Sequence, residues 1–411
     1  MKVNGIIAEY NPFHHGHKRH LDESKAKTGA DYTIVVMSGN FTQRGEPAVL
    51  DKFIRTHMAL VGGVDLVLEM PSLFATGSAE FFAGGGVALL HRLHTVDYLV
   101  FGSESGDIDL LQKLSALLME APPHYHDLLR EFLKSGLSYP AAQTAALSAI
   151  YPPFVDMLDY FKSPNNLLGV EYINALTRLQ SSMNPITTKR VGSDYHDQRL
   201  GQGSSSALAI RQALFSRQDI AFLEEQVPEP IYPLWQSAME TQRPMHPNDF
   251  SLMLHYKLLQ EASQGYAQYM DVSSALSDRI RKNVCHFTDF VRFCELLKTK
   301  DLTYTRIARS MLHILLNMRR SQYERARELG TAPYARVLGF RKDAGPLLAK
   351  LKQCSEIPLI TKVADAQRIL RPPVWEMFDQ DMAVTSIYAS AVAAKSKKPM
   401  ANEFTISPII V

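Results

Sequence analysis

The chain has 411 residues, 46% of them hydrophobic and 21% charged, with a formal net charge of +2, as expected of a globular protein of two or three domains. No apolar run approaches the roughly 18 residues of a membrane span, and no basic-then-apolar leader opens the chain. Three cysteines, Cys285, Cys294 and Cys354, lack C-x-x-C spacing, so neither a disulfide framework nor a zinc site is expected, and the reading is a reduced cytoplasmic protein.

Strands are predicted over 3–8, 32–37, 64–69 and 98–101, alternating with helices over 16–27, 52–60 and 79–93. This is the pattern of an α/β fold with a Rossmann-like parallel sheet. Each strand ends in a polar or Gly-containing loop: Asn11-Pro12, Ser38-Gly39-Asn40, Met70-Pro71 and Gly102-Ser103-Glu104. In open parallel sheets the ligand crevice lies beyond the carboxyl ends of the strands, so these loops should line one site. Residues 110–160 read as a helical insertion. A helix over 166–179, a strand over 187–191 and a helix beginning near Ser206 then resume the pattern. Pro228, Pro230, Pro233, Pro244 and Pro247 mark a linker. The expected division is a nucleotide-type domain over 1–225, a linker over 226–250 and a mainly helical C-terminal domain over 251–411. Residues 271–411 carry 23 Lys and Arg against 14 Asp and Glu, leaving 21 against 28 in the rest. An acidic front and a basic back predict that the back meets a polyanion.

The first loop carries the chemistry. In Ile7-Ala8-Glu9-Tyr10-Asn11-Pro12-Phe13-His14-His15-Gly16-His17-Lys18-Arg19-His20 a strand stops at a Pro-bearing turn and a helix opens on His-x-Gly-His. Free N–H groups and the helix dipole already attract anions there. His14 and His17 would donate hydrogen bonds to phosphate oxygens as the α-phosphorus of a nucleoside triphosphate gains a fifth ligand. Gly16 would let a flat base or ribose approach backbone. The histidines lack a companion cysteine or carboxylate at metal-ligand spacing, so no metal site is assigned. Lys52 and Arg55, one turn apart on the second helix, face either phosphates or solvent.

Ser205-Ser206-Ala207-Leu208-Ala209-Ile210-Arg211 is similar to the late Ser-x-Thr-x-Ile-Arg-like segment of nucleotidyltransferases that share the His-x-Gly-His element. Ser206 and Arg211 would close over the β- and γ-phosphates, although Leu208 replaces the usual Thr. The segments 7–20, Met37-Ser38-Gly39-Asn40-Phe41-Thr42-Gln43-Arg44-Gly45-Glu46-Pro47, Phe101-Gly102-Ser103-Glu104, Ser163-Pro164-Asn165-Asn166-Leu167-Leu168-Gly169 and Ser193-Asp194-Tyr195-His196-Asp197 resemble the bacterial tRNA(Met) cytidine acetate ligase family over nearly the whole chain. The resemblance implies a nucleotidyltransferase-type sheet and ATP-dependent activation of acetate to acetyl-adenylate. It implies transfer of the acetyl group to N4 of the wobble cytidine of elongator tRNA(Met), with AMP and pyrophosphate released and Mg2+ bridging phosphate oxygens. It also assigns ATP binding to residues 7–20, Gly102, one of Asn165 and Asn166, and Arg190. The 37–47 loop would frame the acetate pocket and the incoming cytosine.

Residues 304–320 read as one helix. Arg306, Arg309, His313, Asn317 and Arg320 fall within an arc of roughly 80°, opposite the apolar Ile307, Met311, Ile314, Leu315 and Met318. Arg306, Arg309 and Arg320 are therefore the expected tRNA contacts. Two alternatives stay open on the residues alone: a small-molecule adenylyltransferase that releases a dinucleotide, and a non-catalytic RNA-binding protein.

Overall fold

β1 (Val3–Ala8) lies inside the sheet, with a parallel strand along each edge. The computed structural model describes residues 1–137, 139–190, 205–217 and 219–411; the Ser193–Asp197 segment and the predicted strand end at Val191 lie outside the described residues. On one side β1 runs parallel to β2 (Tyr32–Ser38), in register from Val3 opposite Tyr32 to Ala8 opposite Met37. On the other it runs parallel to β4 (Tyr98–Ser103). β3 (Leu66–Met70) lies beyond β2 and β5 (Asn184–Lys189) beyond β4, giving the order β5-β4-β1-β2-β3. The chain winds outward from β1 to β3 and then crosses back to β4. The carboxyl ends of β1 and β4 thus form the switch point at which open α/β sheets hold ligands.

Alternation along β2 supplies two cores. Ile34 and Val36 pack with Leu66, Leu68, Val87 and Leu90 on one face. Val35 and Met37 pack with Ile6, Val67, Met58 and Trp235 on the other. Each fully buried side chain of this size contributes about 1.5–3 kcal/mol. The helices that cover the sheet begin with α1 (His15–Thr28) and α2 (Lys52–Val61). Helices Ile108–Met119, Tyr125–Lys134 and Tyr139–Ile150 fill the predicted insertion.

The C-terminal half extends the same sheet. β6 (Ala335–Phe340) runs antiparallel to β3, and β7 (Leu359–Ile360) and β8 (Ile409–Ile410) run parallel to β6. The stretch 226–250, whose prolines suggested a linker, is packed: Val227, Ile231, Trp235 and Ala238 are buried in the second core. Its Pro230, Pro233 and Pro247 stand in the first turns of short helices, where a missing N–H costs nothing.

Lys52 and Arg55 face neither phosphate nor solvent; both are fully buried. Lys52 Nζ pairs with Glu69 at 2.7 Å and with Glu403, and donates to Thr385 Oγ1 at 3.0 Å. Arg336, which stands across from Glu69 in the β3–β6 register, pairs with Glu69 at 3.0 Å and Glu403 at 3.1 Å. Arg55 donates to the carbonyls of Glu9 (2.6 Å), Ser38 (3.1 Å), Leu50 (3.0 Å) and Gly39. It therefore ties the ends of β1 and β2 together.

The predicted long basic helix is two helices. Tyr304–Leu315 stops where Asn317 takes a φ of +55°, and Arg320 opens the next helix, Arg320–Glu328. An apolar period that runs on through Met318 conceals that left-handed break.

Candidate active site

A cavity of about 400 Å3 opens at the carboxyl ends of β1 and β4. Of the sequence-predicted residues, Ile7, Ala8, Glu9, Tyr10, Asn11, His14, Gly16, His17, Arg19, His20, Gly102, Asn165, Arg190, Ser206 and Arg211 line it. Pro12, Phe13, His15, Lys18 and Asn166 are not among its lining residues. Phe13 belongs to the core behind the site, and Lys18 pairs with Asp22 along α1. The His15 N–H donates to the Gln226 carbonyl at 3.3 Å. Asn166 is buried, accepting from the Ser105 N–H at 3.0 Å and donating to the Tyr160 carbonyl at 3.3 Å.

The turn after β1 is shaped by Tyr10, whose φ of +46° is left-handed and whose ring packs edge-on against Phe13 and His17 at 4.9 Å. Asn11 then accepts from both sides: its side chain from the Val49 N–H at 2.8 Å and its carbonyl from the Arg211 guanidinium at 2.9 Å.

His14 is the N-cap of α1. Its Nδ1 accepts the Gly16 N–H at 2.9 Å, while His17 Nδ1 accepts the His14 N–H at 3.3 Å, a reciprocal capping box made of two imidazoles. A backbone N–H can only donate, so each Nδ1 is unprotonated and each neutral ring carries its proton on Nε2. Burial and then the Arg190 charge hold His14 down at about 3. Burial, followed by the neighbouring His14 and Arg190, holds His17 well below the ordinary histidine value. His20, whose Nδ1 lies 2.8 Å from Thr188 Oγ1, is held at about 4 by burial and Arg190. The pair is thus two neutral N–H donors, with ring centroids 4.0 Å apart. His14 constrains residue 16, because a Cβ on Gly16 would stand 2.7 Å from its Cε1.

The other walls come from later loops. Glu104, after β4, caps the Pro164–Arg178 helix, taking the Asn165 N–H at 3.1 Å, the Asn165 side-chain amide at 2.7 Å and the Asn166 N–H at 2.8 Å. Asn165 is thereby held in the cavity wall. Ser206 Oγ caps the Ala207–Ser216 helix by accepting the Ala209 N–H at 3.1 Å, and the first turn of that helix faces the cavity. Sequence reasoning missed the aromatic lining of Phe82, Phe101 and Tyr172, whose helix and strand positions look like ordinary core. It also gave no individual role to Glu104, Gln43 or Arg44, which line the cavity too.

The 37–47 loop ends in a small hairpin: Phe41 bridges Pro47, and the Thr42 N–H donates to the Glu46 carbonyl at 2.9 Å. Its Gln43 N–H donates to Glu9 Oε1 at 2.7 Å. Gly45, with φ +78°, lies against the Tyr304–Leu315 helix so closely that a Cβ would stand 2.3 Å from the Arg309 nitrogen. On that helix Arg306 is exposed, whereas Arg309 is held by Asp271 at 2.9 Å. His313, grouped with the arginines by spacing, is fully buried and bonded to the Met270 and Thr76 carbonyls. Arg320, one helix on, donates to the Val272 carbonyl at 2.8 Å.

A strand, a His-capped helix and a second helix N-terminus converging at the switch point of a parallel sheet define a nucleotidyltransferase of the His-x-Gly-His type. The family described as HIGH Nucleotidyl Transferase matches residues 1–403. Within that class the chain belongs to the tRNA(Met) cytidine acetate ligase family, and it is a ligase. It is 35% identical to the tRNA(Met) cytidine acetate ligase of Acetivibrio thermocellus over 100% of both chains. It is 39% identical to that of Thermoanaerobacter sp. (strain X514) over 95% of this chain and 96% of the relative. The solved structure of Thermotoga maritima TmcAL bound with alpha-thio ATP superposes with a TM-score of 0.91 at 32% identity, covering 100% of both chains. The apo form of that protein gives 0.92 at 31% identity.

Proposed function

We propose that the chain activates acetate with ATP as acetyl-adenylate and passes the acetyl group to N4 of the wobble cytidine of elongator tRNA(Met), releasing AMP and pyrophosphate. The neutral imidazole pair carries this reading. An acetate oxygen attacks the α-phosphorus and pyrophosphate leaves in line, so charge grows on the phosphate oxygens. His14 and His17 meet that charge with Nε2–H donors whose rings are already fixed by backbone N–H groups, so no reorganisation is needed. Arg190, Arg211, Ser206 and the amides of the Ala207–Ser216 helix take the triphosphate, and Gly102 and Asn165 line the nucleoside end. Asn165 is preferred to Asn166 because it lines the cavity, whereas Asn166 does not and spends its amide on Ser105 and Tyr160. Among the described residues no cluster of three or more His, Cys, Asp or Glu is arranged to hold a metal ion. Mg2+ would be held through the phosphate oxygens of ATP, where it would neutralise their charge.

The acceptor enters past the hairpin that joins the cavity to the arginine helix, with Arg306 as the principal phosphate contact and Arg309 and Arg320 beside it. No described helix is long and apolar enough to cross a membrane, and we assign the enzyme to the cytoplasm with its tRNA. A dinucleotide-releasing enzyme would have no use for the basic face beside the hairpin. The test is mass spectrometry of nucleosides from tRNA incubated with the protein, ATP and acetate. N4-acetylcytidine is expected; a dinucleotide product, or unmodified tRNA with ATP intact, overturns the reading.

A further inference from the structure

Glu9 falls in the 7–20 run that the resemblance gives to ATP, but a carboxylate is out of place beside a triphosphate. Around it stand imidazole donors, guanidiniums and helix amides, all suited to an anion, whereas a carboxylate repels one. Yet Glu9 lines the cavity at the end of β1, and Oε1 is fixed by the Gln43 N–H at 2.7 Å. Near it the lining turns aromatic. Phe101 and Tyr172 pack with ring centroids 5.4 Å apart, Phe82 lines the same cavity, and Glu9 adds to burial in pushing the Tyr172 hydroxyl up. A carboxylate beside flat apolar rings matches a base that offers an amino group.

The other carboxylates and imidazoles lining the cavity among the described residues are engaged or lie farther along α1. Glu104 accepts three bonds at the start of the Pro164–Arg178 helix. His14 and His17 already use Nδ1 and hold a proton on Nε2. His20 contacts Thr188, and Glu23 lies two turns into α1.

We infer that Glu9 is the catalytic base of acetyl transfer and reads the amino edge of the cytosine; this rests on the acetate-ligase reading. N4 attacks the acetyl carbonyl carbon, forming the C–N bond. One N4 hydrogen passes to Glu9 Oε2. The bond from carbonyl carbon to phosphate oxygen then breaks, and AMP leaves with the electron pair. The amide is left neutral, and Glu9 returns its proton to water. The exocyclic amine is a weak nucleophile because its lone pair is delocalised into the ring, so removing its proton is where a base helps most. A uracil at the same place would turn a carbonyl oxygen toward the carboxylate and be refused.

Glu9→Gln tests this with little disturbance, because the amide oxygen still accepts the Gln43 N–H. Two products are followed with ATP and acetate: acetohydroxamate trapped by hydroxylamine, which needs no base, and N4-acetylcytidine in saturating tRNA(Met). Hydroxamate formation is expected within about threefold of wild type while tRNA acetylation falls about 10²–10⁴-fold. Parallel loss of both products, or acetylation within threefold of wild type, overturns the inference. A wild-type enzyme that forms no hydroxamate sinks the acetate-ligase reading instead. If Glu9→Gln fails to fold, Glu9→Asp keeps the charge but sets it back by one methylene. Selective loss of acetylation in that variant supports the role, and equal loss of both products refutes it.

Discussion

Two polar clusters are built on different strands of the same sheet, and they follow opposite rules. Between β3, α2 and β6, Lys52, Glu69, Arg336 and Glu403 satisfy one another and are almost wholly closed to water. At the ends of β1 and β4 four polar side chains each give one atom to the backbone at the edge of a cavity. His14 and His17 spend Nδ1 on N–H groups, Ser206 spends its oxygen on a helix end, and Glu9 gives Oε1 to the hairpin. The first cluster holds strands together. The second is held in place by the fold and keeps its donors for something else.

The contrast breaks most readily at Glu69. Removing it by Glu69→Ala leaves two buried cations against Glu403 alone, which should cost about 3–5 kcal/mol. Urea midpoints at unchanged slope measure the loss. A cost under 1 kcal/mol would mean that water relaxes the cluster and that it is not what fixes β6 to β3.

Next in size is His14→Ala, expected to lower acetohydroxamate formation about 10²–10³-fold, the range for losing one donor to developing charge. Folding should suffer by only about 1 kcal/mol, the worth of an N-cap. A drop below tenfold would show that this imidazole serves the helix and not the chemistry.

Gly45→Ala probes the seam between site and acceptor face. The added carbon meets the backbone of Ala308 and Arg309 at a positive φ, which should cost about 1–3 kcal/mol and displace the hairpin. Acetylation of tRNA should then fall further than hydroxamate formation. Equal losses would mean that the hairpin belongs to the adenylation half alone.

How far the sequence reveals these two clusters follows from the range of their contacts. The His14–His17 corner is local: strand, turn, cap and donors fall within a short run, so spacing exposes it and only the reason for Gly16 is hidden. The α/β alternation is legible for the same reason, since period-2 and period-3.6 patterns need no distant partner. The Lys52 cluster is not legible. Glu403 reaches it from the far end of the chain, and nothing near Lys52 signals that a buried carboxylate pair awaits it. Phe82, Phe101 and Tyr172 escape because a ring facing a cavity and a ring facing a core occupy the same pattern positions. Asn317 escapes because its left-handed turn interrupts a helix whose apolar period does not change.

The titration of the site histidines sharpens the contrast further. His14 and His20 sit at about 3 and about 4 in the folded protein. The unfolded chain therefore binds protons that the folded one refuses as the pH falls below about 6.5, and stability drains over that window. Glu171, pushed up to about 7 by burial, works in the opposite sense, since the folded protein keeps a proton that the unfolded chain releases as the pH rises past about 4.5. His20→Gln should shrink the stability lost between pH 7 and pH 5 by no more than about 2 kcal/mol. An unchanged loss would show that His20 titrates freely in the folded state.

The smallest effect is expected at Arg306, and it separates surface charge from organised charge. Arg309 is already paired with Asp271, so removing it would also strand a mostly buried carboxylate and confuse two effects. Arg306 is exposed, so Arg306→Ala subtracts a cation from the proposed tRNA face with little structural consequence. The dissociation constant for tRNA should rise several-fold, about 1 kcal/mol, and the slope of log affinity against log salt should shrink by about 1. Acetohydroxamate formation, which needs no RNA, should stay at the wild-type rate. If the salt slope does not change, the phosphate track runs elsewhere on the basic half, and the hairpin at Gly45 loses its claim to bridge acceptor and cavity.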